Sequence, residues 1–138
     1  MKLIDTDVLI RFFTWDNEAA ESISDLFRAM ERKKEKLLVT EEVIIELVYY
    51  LESVLGWERK VVGDIINTIL FDALFKVERK GVIGEAVRLY VNTDVPFLDC
   101  VKVAKARYGR ISEAVSFNYN LEKGGIKTTL PSEYGRAP

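Results

Sequence analysis

Short apolar runs alternate with helical segments along this chain, and that alternation constrains its fold more than any other feature. Lys2–Ile4, Leu37–Val39, Leu74–Val77 and Ala114–Phe117 read as strands, and Ile126–Leu130 reads as a last one. Between them the apolar spacing turns helical. Asp7–Phe13 starts a short helix, and Asn17–Lys33 places Ala20, Ile23, Leu26, Phe27 and Met30 on one stripe. Thr40 is a candidate N-cap, although Val43 stands where a capping box wants Glu or Gln. Glu41 and Glu42 suit the positive end of the helix that follows, which runs to about Leu55 and stops at Gly56. Further helices are expected over Glu58–Asp72, over Ile83–Val91, and from a cap at Asp94, with Pro96 in the first turn, to Tyr108 before Gly109. Gly124-Gly125 reads as a turn. The pattern predicts an α/β sandwich with a mainly parallel sheet. A length of 138 residues with no internal repeat or linker predicts a single domain over 1–138.

Composition narrows the chemistry. The chain has one cysteine, Cys100, and no histidine. That removes disulfides, cysteine-held zinc or iron–sulfur sites, and imidazole acid–base or nucleophile-activating chemistry. Catalysis is left to carboxylates, lysines, tyrosines, hydroxyls, or a hard metal ion held by oxygen. The net charge is −2, so a nucleic-acid partner would need a local basic patch. Met1-Lys2-Leu3-Ile4-Asp5 turns acidic too early for a signal peptide, and the apolar stretches fall well short of the ~20 residues that span a bilayer. These features predict a soluble, cytoplasmic protein with no membrane partner.

Three carboxylates stand in apolar settings. Asp5 ends the first strand, where open α/β sheets place ligands, and it is equally placed to cap the next helix. Glu46 sits in Val43-Ile44-Ile45-Glu46-Leu47-Val48-Tyr49-Tyr50-Leu51, with no cation three or four residues away. An ionised carboxylate is costly to bury alone, so Glu46 must face a solvated cleft, a metal, or a distant Arg or Lys. Asp99 lies near the start of an apolar helix with Lys102 within pairing reach. Like charges brought together repel unless a cation sits among them, and oxygen-only ligands suit Mg²⁺ or Mn²⁺.

Leu3-Ile4-Asp5-Thr6-Asp7-Val8-Leu9-Ile10-Arg11 resembles the opening of PIN-domain proteins, the VapC-like toxins in particular. Val43–Leu51 is similar to their second motif, with Glu46 as its acid, and Asp94–Val101 to their third, with Asp99 as its acid. Ala114–Leu121 resembles the fourth in shape, with Asn118 and Asn120 where the family usually has Asp. The resemblance spans essentially the whole chain. It implies a three-layer α/β/α fold and a Mg²⁺- or Mn²⁺-dependent endoribonuclease. It further implies a homodimer and, for the toxin branch, a small antitoxin protein as partner.

On that resemblance Asp5, Glu46 and Asp99 hold the metal, with Asn118 as a weak ligand or a support behind the ligands. Arg11, Ser116 and Lys102 are the candidate substrate contacts; Lys102 shares its stretch with the basic residues Lys105, Arg107 and Arg110. Arg11 also reads as a surface arginine, and the basic stretch as a solvated helix face. Tyr49, Tyr50 and Tyr108 read as core or dimer contacts rather than base-stacking platforms. Asn118 and Asn120 also fit a degenerate PIN-like module that binds RNA or protein without cutting. Asp5-Thr6-Asp7-Val8 resembles the nucleophile loop of haloacid-dehalogenase-like phosphatases as well, but no late Asp pair follows the strand Ala114–Phe117.

Overall fold

Leu37-Leu38-Val39 forms the middle strand of a three-stranded parallel sheet, as its unbroken apolar run suggests. The computed structural model describes residues 1–135, and the chain divides into one compact unit of Met1–Lys80 and a second from Gly81 onward. In the first unit the order is β1 (Lys2–Leu3), β2 (Leu37–Val39), β3 (Phe75–Val77), with Lys2 opposite Leu37 and Val39 opposite Val77. Four helices accompany the sheet: α1 (Thr6–Phe13), α2 (Ala20–Arg32), α3 (Glu41–Tyr49) and α4 (Arg59–Phe71).

Helix α2 buries Ala20, Ile23, Phe27 and Met30, but Leu26 is 44% exposed and falls outside the expected stripe. The Phe27 ring meets Phe12 of α1 and Phe75 of β3 edge-on, with centroids 4.9 and 5.6 Å apart. Thr40 caps α3 as expected, its hydroxyl accepting from the Val43 N–H at 3.3 Å. Glu41 does more than suit the helix dipole. Arg79 Nε lies 2.9 Å from its carboxylate, and Glu78 accepts from its backbone N–H at 3.3 Å. Helix α3 continues into one π-helical turn, Tyr50–Val54, before Gly56 reverses the chain at a φ of +71°.

The second unit holds nearly all of α5 (Lys80–Asn92), then α6 (Phe97–Tyr108), β4 (Glu113–Val115), α7 (Tyr119–Lys123), β5 (Lys127–Thr129) and α8 (Pro131–Tyr134). Strands β4 and β5 pair in parallel, with Glu113 opposite Lys127. The five-residue α7, which the sequence pattern did not announce, makes that crossover. Phe117, expected at the end of a strand, lies beyond β4 and is 83% exposed. Asp94 is not the cap of α6. Pro96 takes that position with an extended ψ of 144°, and Asp94 pairs with Lys123 Nζ at 3.2 Å. Tyr90 packs edge-on against Phe97, and the buried Cys100 thiol donates to the Val95 carbonyl at 3.4 Å.

Arg107 of α6 braces this unit. It donates to Glu85 of α5 at 3.0 Å and to the Gly124 carbonyl at 3.1 Å. A Cβ on Gly125, which has a φ of +98°, would lie 2.5 Å from the guanidinium. Hydrogen bonding from Arg88, reinforced by Arg107, holds the Glu85 carboxyl below its usual range.

Two stability measurements follow. In urea unfolding, Ile66→Ala loses about 2–5 kcal/mol, because Ile66 is fully buried. Glu85→Gln loses no more than about 1 kcal/mol at neutral pH. A lowered folded-state pKa stabilises above the unfolded value, so the gap between the Glu85→Gln and unaltered proteins closes as pH falls below about 4.

Candidate active site

Asp5 leaves the sheet just after β1 and is the N-cap of α1, so the cap expected of it is present. Its Oδ1 accepts from the Thr6 N–H at 2.7 Å. The Thr6 hydroxyl turns the other way and donates to Glu46 Oε1 on α3 at 3.1 Å. Thr6 is 7% exposed, while Asp5 and Glu46 are open to solvent. Helix α3 looks apolar throughout, yet it buries Val43, Ile44, Leu47 and Val48 and leaves Glu42, Glu46 and Tyr49 on a solvated stripe at helical spacing. That settles the first question about Glu46: it faces water. Among the described residues, neither Asp5 nor Glu46 forms an ion pair.

In the second unit Asp99 sits in the first turn of α6 and is 7% exposed. Its Oδ1 accepts from Asn118 Nδ2 at 3.1 Å and lies 3.7 Å from Lys102 Nζ. Asn118 caps α7, its Oδ1 accepting from the Asn120 N–H at 2.9 Å. The two bonds fix the amide. A carbonyl oxygen must face the backbone N–H, so the NH₂ faces the carboxylate. Ser116 supports the loop by accepting from the Asn118 N–H at 2.7 Å.

The other candidates divide. Arg11 is exposed in the last turn of α1, and Lys102, also exposed, is committed in part to Asp99. Arg107 is the structural brace described above, not a free cation. Tyr49 and Tyr108 are 65% and 61% exposed, so of the core or dimer contacts expected for them the core placement is excluded. Sequence reasoning misses Thr6. Its signal there was a short hydroxyl residue directly between a strand-end acid and an apolar helix.

The donors present are carboxylate oxygens, the kind that a hard divalent cation takes. Among the described residues no three acidic or cysteine side chains group closely enough to hold an ion. The acids stand instead in two pairs, Asp5 with Glu46 through Thr6, and Asp99 with Asn118.

The sequence model for the PIN domain matches residues 2–127. The chain belongs to the PIN-domain family. The matched span takes in Asp5, Glu46, Asp99 and Asn118, and with the parallel strands it bears out the α/β PIN fold. It leaves no place for the phosphatase reading of Asp5-Thr6-Asp7. A VapC ribonuclease from Aquifex aeolicus (strain VF5) is 47% identical over 133 residues, covering 96% of this chain and 98% of that protein. No solved structure matches significantly. No helix among the described residues is long and apolar enough to cross a membrane.

Asn118→Asp keeps the cap of α7 in this PIN domain but sets a carboxylate against Asp99 in place of a donor. Metal-free thermal unfolding at neutral pH should show a loss of about 1–3 kcal/mol. The facing acids hold a proton more tightly folded than unfolded, so the loss shrinks as pH falls toward the carboxylate range.

Proposed function

We propose that this chain is a metal-dependent endoribonuclease of the PIN-domain type, the toxin of a toxin–antitoxin pair, acting in the cytoplasm as one domain over residues 1–138. The observation that carries the reading is the Asp5–Glu46 pair. Two carboxylates from separate elements are held by one neutral residue and left without a cation partner among the described residues. Such a pair is electrostatically incomplete and invites a divalent cation. The relative named VapC ribonuclease supports the same reading.

In this proposal Asp5, Glu46 and Asp99 hold Mg²⁺ or Mn²⁺, and RNA is the substrate. The bound ion would supply Lewis-acid stabilisation of the phosphodiester and a more acidic water. Asp5 and Glu46, both exposed, bring negative charge. Asn118 holds Asp99 by donating to one oxygen, which leaves the other for the ion. Ser116 keeps the Asn118 loop in place. Arg11 and Lys102 offer cationic contacts to RNA phosphates. The working assembly is a homodimer, and a small antitoxin protein blocks it. A non-cleaving RNA- or protein-binding module is the second reading, favoured by one observation: Asn118 brings no negative charge, and both polar ends of its amide are already bonded.

RNA cleavage by purified protein with Mg²⁺ or Mn²⁺ tests the proposal. Cleavage should stop with EDTA and fall about a hundredfold or more in Asp5→Asn and Glu46→Gln, the scale of losing an electrostatic stabiliser of a transition state. No cleavage of any RNA, together with no Mn²⁺ binding by calorimetry, would establish the second reading instead.

A further inference from the structure

We propose that Thr6 is the positioning residue of the metal site, setting Asp5 and Glu46 in ligand geometry before the ion arrives. The proposal rests on the reading of those two acids as ligands. Thr6 has two donors, and each goes to a different acid: the N–H to Asp5 at 2.7 Å and the hydroxyl to Glu46 at 3.1 Å. A threonine hydroxyl in the first turn of a helix ordinarily serves nearby backbone. This one crosses to α3, forty residues along the chain. A hydroxyl has a single proton, so its donation to Glu46 fixes which carboxylate oxygen is tied and which is free. The residue is 7% exposed, and a packed side chain holds its rotamer. A neutral donor suits the task better than a cation. Lysine or arginine would satisfy the acids outright and compete with the ion, whereas a hydroxyl orients Glu46 and leaves its charge intact.

Groups that hold a metal's ligands cost about ten- to a hundredfold in affinity when removed. Thr6→Val keeps the shape and deletes the hydroxyl; Thr6→Ala deletes it without the β-branch; Thr6→Ser retains it. Mn²⁺ titration calorimetry on the full chain, well below the melting temperature, is the test, with circular dichroism to establish that each variant is folded. Thr6→Val and Thr6→Ala should bind Mn²⁺ about ten- to a hundredfold more weakly, and Thr6→Ser close to the unaltered protein. A role limited to tying α1 to α3 would lower the melting temperature and leave Mn²⁺ affinity alone. Folded Thr6→Val or Thr6→Ala binding Mn²⁺ as tightly as the unaltered protein therefore overturns the proposal. Glu46→Gln separates this failure from that of the metal reading. If the unaltered protein binds no Mn²⁺, or Glu46→Gln binds it equally well, the ligand assignment is wrong and the Thr6 proposal falls with it.

Discussion

Parallel pairing is the constraint on which the first unit depends. Because β1, β2 and β3 run the same way, their C-terminal ends open at one edge of the sheet. Asp5 follows β1 there, Thr40 and Glu41 follow β2, and Glu78 and Arg79 follow β3. Two links then join neighbouring elements at that edge: the hydrogen bond from Thr6 to Glu46, and at Glu41 an ion pair with Arg79 beside a hydrogen bond from its backbone N–H to Glu78. The links differ in kind. The Glu41–Arg79 pair is closed, a charge met by a charge. The Thr6 link is open, because a neutral hydroxyl steadies Glu46 without cancelling it. One edge of a small sheet thus carries a finished electrostatic joint beside an unfinished one.

In the second unit Asn118 shows what a single amide changes. An aspartate there would cap α7 equally well, since both side chains offer an oxygen to the Asn120 N–H. It could not donate to Asp99. The amide turns a repulsive neighbour into a donor, so Asp99, only 7% exposed, is met by Asn118 with Lys102 alongside. The trade is one unit of negative charge for a preset carboxylate.

Much of this was legible in the sequence, because strand and helix periodicities depend on neighbours a few residues apart. The alternation gave the parallel α/β class, Thr40 gave a helix start, and Gly56 a helix stop. What failed depended on contacts across the chain. Asp94 looks like a cap, but Lys123 takes its carboxylate and Pro96 starts the helix. Leu26 has the right spacing for the core stripe and still lies outside it. Helix α7 is too short to have a period of its own. Glu46 is anomalous in the sequence for want of a local cation, but an apolar helix does not reveal which stripe is covered, so its exposure is visible only in the fold. The role of Thr6 is not visible in the sequence because its partner is forty residues away.

The single thiol carries a last consequence. Cys100 follows Asp99 directly on α6, is fully buried, and donates to the Val95 carbonyl. A sulfur attacks or is attacked only as an accessible thiolate, so the folded chain is inert toward disulfide exchange and alkylation. Modification must wait for local opening. The rate at which an alkylating reagent consumes this sulfur is then a clock for the breathing of the helical turn that carries Asp99, supplied by the chain's own composition and needing no engineered label.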